Sequence, residues 1–304
     1  MATTLSPNPI NSTYSGKDAG GYIRAAFLSN ESLAAVTFKE NIEYKQVVRK
    51  LVDNITFEAP TCDFTPLGTV QLSERILTLQ QFQVERNLCK NDFLKDWETK
   101  SEQDGYLHAS LADAMIANVM AGIAARNEIV MWSGVASTTE YNGFETLFNT
   151  VGSGVLTVAT PVAIDSTNVI EEMARLVLTL PTRVRRATEK PVIAVSSNVA
   201  EAFRTAILGL GGGSYLYQGE TVKMTWQGQY DIIECPGMSD DTMAFYQKSN
   251  LWFGTNTLDQ WNNVAVLDMA DRDLSRNVRF HTSFFAGAQF GFGDEIAFYQ
   301  YVAA

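Results

Sequence analysis

The stretch VKMTWQGQYDIIECPGMSDDTMAFYQKSNLWFG, residues 222–254, decides the fold class. Val222 to Trp226, Tyr230 to Glu234, Met243 to Gln247 and Leu251 to Phe253 are short runs of strand-prone residues. Gln227-Gly228, Pro236-Gly237, Ser239-Asp240-Asp241 and Ser249-Asn250 break them apart, the pattern of a meander of short strands. No set of catalytic residues stands among them, which points to a building block. Past an acidic link from Asp268 to Asp273, Val278, Phe280, Thr282 and Phe284 alternate with Arg279, His281 and Ser283. Ile296 and Phe298 alternate in the same way with Ala297 and Tyr299, the period of half-buried strands.

Upstream the period becomes helical. From Tyr106 to about Trp132, Leu107, Leu111, Met115, Val119 and Ile123 form an i, i+4 ladder among small alanines, a spine about 40 Å long. A second helix is predicted from Asn168 to Leu180, opened by Asn168 with Glu171 three residues on and closed by Pro181. A third follows the apolar run Val192 to Val195, opened by Asn198 and Glu201 and ended by the tract Gly209 to Gly213. Before the spine, alternation starts at Val70 and Leu72, continues at Leu77 and Leu79, and slips by one residue at Phe82 and Val84, as a β-bulge would make it do. The charged segment from Phe38 to Leu51 suggests a short amphipathic helix. Residues 1–36, rich in Ser, Thr, Asn and Gly with one apolar cluster at Tyr22, Ile23 and Phe27, read as an extended arm. Such an arm is either a floppy tail or is ordered by lying on another subunit.

The 304 residues are enough for one large or two medium domains, and 46% apolar with 19% charged residues permits a sizeable core. A net charge of −11 argues against a nucleic-acid binder that works through phosphate contacts. Cys62, Cys89 and Cys235 are odd in number and widely spaced, so a disulfide framework is not expected and a reducing cytoplasm fits. Neither a signal peptide nor a membrane span is legible.

Reactive chemistry is sparse. His108 and His281 are the two histidines, too little for histidine-based acid–base work or a zinc site. Val151-Gly152-Ser153-Gly154 reads as a turn between strands, not as a nucleophile elbow. The tract Gly209 to Ser214 follows a helix and lacks the Lys-Ser or Lys-Thr of a phosphate loop, so it reads as a mobile loop. Asp268, Asp271 and Asp273 lack the glycine and terminal glutamate of a calcium loop. Arg183, Arg185, Arg186 and Lys190 form the one basic cluster, beyond the second helix, where cations complement its dipole or contact a nucleic acid or partner. No catalytic, cofactor-binding or metal-binding residue is assigned, and no cofactor is expected.

The order of elements resembles the major capsid protein of tailed bacteriophages, the Hong Kong 97-type α+β fold. The likeness rests on the whole order together with Trp132-Ser133-Gly134, Tyr141-Asn142-Gly143-Phe144, Ser249-Asn250-Leu251-Trp252-Phe253-Gly254 and Ala286-Gly287-Ala288-Gln289-Phe290. It implies an N-terminal arm at 1–49, an extended β-loop at 50–89, a peripheral domain at 90–190 with the long spine helix, an axial domain at 191–265, and C-terminal strands at 266–304 that rejoin the peripheral domain. It further implies a virion capsid subunit, assembled in the host cytoplasm, whose copies form pentamers and hexamers of an icosahedral or prolate shell around double-stranded DNA, bound without sequence specificity. Portal, scaffold and decoration proteins are the implied partners, with no membrane. No long charged helix precedes residue 50, so the scaffold is expected as a separate chain. Tyr22, Phe27, Val70, Leu72, Gly211, Gly212 and Gly213 are the candidate assembly residues, the glycines at the centre of each capsomer. Some shells of this fold lock covalently through a lysine on the extended loop, yet no lysine lies between Lys50 and Lys90. An encapsulin-type compartment with protein cargo is the alternative within the same fold, and an α+β enzyme with an unrecognised site the alternative outside it.

Overall fold

The computed structural model describes residues 11–15, 25, 27, 31–42, 45–53, 57, 70–89, 107–209, 224–256, 263–273, 275 and 277–302. Tyr22 and Gly211 to Gly213 lie outside them. Fourteen strands are described in three sheets. The first joins β1 (Asn11–Ser15), β2 (Thr37–Lys39), β5 (Gln80–Cys89), β11 (Leu251–Thr255), β12 (Asn263–Asp268) and β13 (Asn277–Phe290). The second has the order β6 (Leu156–Thr157), β14 (Ile296–Gln300), β10 (Thr242–Tyr246), β7 (Val192–Val195), β9 (Tyr230–Glu234) and β8 (Thr225–Trp226). The third is the antiparallel pair β3 (Lys45–Asp53) and β4 (Val70–Thr78).

The spine is α1 (Leu107–Ser133), 27 residues. Its buried face runs through Ile116, Met120, Ile123 and Val130, while Val119 is half-buried, so the core-facing ladder stands one position beyond the expected one at that point. A short helix α2 (Phe144–Asn149) follows. The second predicted helix is α3 (Val169–Thr179) and the third α5 (Ser197–Gly209), separated by the four-residue α4 (Thr182–Arg185). The capping box expected at Asn168 does not form: the Asn168 side chain accepts from Asp165 N at 2.9 Å, and its own N–H donates to Asp165 Oδ1. Asn198 Oδ1 likewise accepts from Val199 N at 2.8 Å and from Asp241 N, tying the start of α5 to the turn before β10.

Four further expectations are corrected. The strands of residues 222–254 are not a meander: β9 pairs parallel with β7, β10 lies between β7 and β14, and β11 belongs to the other sheet. No helix forms among the described residues of the segment Phe38 to Leu51: Phe38 and Lys39 end β2, and from Lys45 on the chain is β3, where β4 supplies the pairing. The slip after Leu79 marks a change of partner, not a bulge: β4 pairs with β3, and β5 pairs with β13 over Asn277 to Ala286. The described parts of the arm lie on their own chain, with β1 antiparallel to β12 and Phe27 fully buried against Phe253 and Phe284, whose rings stand 5.3 and 5.5 Å away.

Residues Ile296 to Tyr299 are buried on both faces, unlike the half-buried β13. Val192, Ala194, Ala244, Tyr246, Ile296 and Phe298 enter the large core beneath α1. Ile193, Val195, Met243, Phe245, Ala297 and Tyr299 enter a second core beneath α3 and α5. The second sheet is therefore a wall between two cores. Grouped by sheet, the chain divides elsewhere than at 190/191 and 265/266, since β6 and β14 join the second sheet while β11 and β12 join β13.

Candidate assembly surfaces

The β3–β4 ribbon presents two unlike faces, because residues paired in register share a side. On one side stand the pairs Val47–Ile76 and Arg49–Glu74, with Leu72 further along the same face. Val47, Leu72 and Ile76 are 46, 57 and 44% exposed, and Arg49 Nε donates to Glu74 Oε1 at 2.7 Å between them. Exposed apolar side chains on one face of a ribbon are a surface ready for a partner. On the opposite side Leu77 is fully buried and Arg75 is anchored: its guanidinium donates to Ser153 O at 2.7 Å and lies 4.4 Å from the Phe290 ring.

The base of the ribbon sits in a notch. Gly254 and Gly287 pair in register across β11 and β13. A Cβ on Gly254 would stand 2.9 Å from both Ile42 Cδ1 and Leu77 Cδ2, and one on Gly287 would stand 2.6 Å from Thr78 O. Ile42, Leu77, Leu79 and Trp252 form a small core of their own there, with the Lys39 ammonium 4.2 Å above the Trp252 ring. Burial pulls the Lys39 amine below its ordinary value.

Two buried carboxylates fix the body beneath. Glu128 on α1 accepts from the Ser32 hydroxyl, which also accepts from Trp132 Nε1 at 2.8 Å. Tyr141 donates to Asn127 Oδ1 at 2.7 Å; burial, then the charge of Glu128, pushes its phenol well above the usual range. The glycines of the two quoted motifs meet here, Gly143 N donating to Gly134 O at 2.9 Å. Glu145 on α2 accepts from Ser239 N at 2.8 Å, Ser239 Oγ at 2.6 Å and Gln300 Nε2 at 3.2 Å, linking α2 to the second sheet. Its pKa is raised by burial, against the lowering effect of the Ser239 bonds. A groove of about 820 Å³ runs between β5 and α1, floored by Phe82, Val84, Val119 and Ile123 and rimmed by Gln81, Gln83 and Arg126.

The candidate assembly residues are not gathered in one place. Leu72 lies on the exposed face of the ribbon, Val70 opens the same strand, and Phe27 is enclosed in the core of its own subunit, out of reach of a neighbour. Val47, Ile76 and the glycine notch were missed; the alternation of residues 47–51 could have revealed the first. Among the described residues no group of three metal-ligating side chains occurs. Asp273 is occupied as an acceptor for Ser275 N at 2.9 Å, and His281 faces Glu85 at 3.4 Å across β13 and β5. The turn at Gly152 to Gly154 follows α2, and the Ser153 hydroxyl donates to Phe148 O at 2.9 Å.

Among solved structures, the chain is similar to the capsid of an empty GTA particle computed with C5 symmetry, at 17% identity over 90% of each chain with a TM-score of 0.59. It is similar to the satellite phage P4 procapsid that includes the size determination (Sid) protein, at 12% identity over 92% of this chain and 98% of that one, TM-score 0.56. The capsid of Myoviridae phage XM1 matches at 12% identity over 98% and 96%, TM-score 0.56. No family model matches the sequence and no curated protein matches it. The chain thus has the α+β fold of phage capsid subunits, consistent with the Hong Kong 97 type.

Proposed function

We propose that this chain is a major capsid protein of a tailed phage, with a structural and not an enzymatic role. Its copies close into pentamers and hexamers of an icosahedral or prolate shell that encloses double-stranded DNA in the virion. The observation that carries the reading is the exposed face of the β3–β4 ribbon, where Val47, Leu72 and Ile76 stand outward together on one face of paired strands. A ribbon of this kind gains by covering that face with a neighbouring copy, since each buried apolar side chain contributes about 1.5–3 kcal/mol. The residues 50–89 then act as the extended loop, and the second sheet with its helices as the axial part of the subunit. Portal, scaffold and decoration proteins complete the assembly.

Electron microscopy of the expressed chain tests the reading. Closed shells or capsomer rings are expected, together with folded, non-assembling subunits for Leu72→Asp/Ile76→Asp. A wild-type chain that stays a discrete monomer or dimer at every ionic strength would sink it. Protein cargo in place of DNA inside native particles would favour the compartment reading.

A further inference from the structure

The second sheet carries its charges at opposite ends. Because β7 and β14 both run antiparallel to β10, the start of β7, the end of β10 and the start of β14 lie together. Arg183, Arg185, Arg186, Lys190 and Lys248 cluster at this end. The segments that bear them are clasped to one another: Gln247 Nε2 donates to Glu189 O at 2.9 Å, and Ser249 N and Oγ donate to the Glu189 carboxylate at 3.0 and 2.7 Å. Arg183 is spent on Asp294 at 2.7 Å. Arg185 donates only to Thr182 Oγ1, at 3.2 Å, and its Nε is buried without an acceptor. Among the described residues no carboxylate pairs with Arg185, Arg186, Lys190 or Lys248.

The other end is acidic. The segment after β6 follows β14, with Val158 N donating to Phe298 O at 3.0 Å and Val162 N to Tyr299 Oη at 2.8 Å, and so delivers Asp165 and the start of α3 to the far end of the sheet. There Asp165, Glu171, Glu201 and Asp240 are exposed and Asp241 is half-buried. The cations of this region, Arg175 and Arg204, are already paired with Glu172 and Glu234. Complementing the dipole of α3 accounts for Arg183, Arg185 and Glu171. It does not account for Lys190 and Lys248, which flank strands. Four to five residues of strand separate the ends by about 15 Å, farther than a Debye length of about 8 Å at physiological salt, so each end acts on its surroundings independently.

We propose that the basic end of one copy docks against the acidic end of the next, a head-to-tail contact between copies of this chain. The contact rests on the reading of the chain as a ring- and shell-forming subunit, and it deepens that reading by naming which ends meet. Head-to-tail contacts generate rings when the rotation closes. In a chain of net charge −11, whose copies repel one another, a local patch of opposite sign fixes the orientation in which two copies approach.

Charge reversal in the full chain tests the pairing. Arg186→Glu/Lys190→Glu/Lys248→Glu and, separately, Glu171→Lys/Glu201→Lys/Asp240→Lys should each raise the critical concentration for assembly about tenfold or more, read by sedimentation and electron microscopy. Each should melt as the wild type does, because the altered side chains lie at the surface. Mixing the two reversed proteins should restore association in rings of even number, where the variants alternate and every contact is again of opposite sign, and one chain carrying both sets should assemble by itself, since its ends are again complementary. Wild-type-like assembly of either single set overturns the proposal, as does failure of the doubly reversed chain while it remains folded. Loss of DNA from otherwise normal particles of the basic-end variant would overturn it in favour of a nucleic-acid contact. A wild-type chain that never assembles removes the shell reading, and this contact with it.

Discussion

Gly254 and Gly287 show how one missing carbon can seat a whole ribbon. Where their side chains would be, Ile42, Leu77 and Leu79 fill the space. Valine at position 254 would overpack this notch, and we expect a loss of about 1–3 kcal/mol in a denaturant melt, with faster tryptic cleavage at Lys45 and Arg75. Glu145 gives a pH dependence of definite sign. Its folded pKa is raised, so the folded protein holds the proton more readily than the unfolded one, and stability from this group grows as pH falls through the folded value. The difference in melting temperature between wild type and Glu145→Gln should therefore shift in favour of the wild type on going from neutral to mildly acidic pH. A shift the other way would mean that the Ser239 bonds outweigh burial. Both glycines stood within stretches that carried the resemblance, yet their use could not be read. A notch needs a partner from elsewhere in the chain, and composition does not say which side chains will arrive.

At the scale of elements, the legible parts were those with a strong period of their own. The spine helix, α3, α5 and the alternation of β13 all follow from local spacing, because a 3.6 or 2-residue repeat is written within a dozen residues. The segment of residues 38–51 failed for the opposite reason: its charges resemble a helix face, and only the nine-residue register with β4 makes it a strand. The half-buried reading of Ile296 to Tyr299 failed because a second core covers the face that alternation assigned to solvent. Since no lysine lies between Lys50 and Lys90, and the guanidinium of Arg75 is held by Ser153 O and Phe290 and is no amine nucleophile, residues 51–89 offer no amine with which to bond a neighbour covalently. Boiling assembled particles in detergent should release one band near 33.6 kDa. A ladder of larger species that survives reducing agent would refute this.

At the scale of the whole molecule, the order of strands within the sheets was the least legible property. The parallel pairing of β7 with β9 and the placement of β14 next to β10 join residues 39 to 58 positions apart, which no local pattern encodes. The placement of the candidate assembly residues was no more legible: Leu72 stands on an exposed strand face, whereas Phe27, part of the apolar cluster of the arm, is enclosed by aromatic rings from two distant strands. Net charge alone predicts that assembly improves steadily with salt, as repulsion between copies carrying −11 is screened. Opposed charged ends add a second, short-range contribution that salt weakens. The yield of shells should then rise, pass through an optimum and fall as salt increases, and reversing both ends together should leave that profile in place. A yield that climbs without a maximum would argue that only repulsion matters.

The wall between the two cores bears on how such a chain can change over generations. Tyr246 and Phe298 pack into one core while their neighbours Phe245 and Tyr299 pack into the other, so neither half can be exchanged for a foreign segment without exposing the far side of the same strands. Recombination within the subunit is therefore penalised. Substitution one side chain at a time is not, provided the wall stays filled, and growth in length fits an exposed tip such as Gln227-Gly228, where positive φ closes the turn. A lineage built on this plan drifts in sequence and keeps its shape.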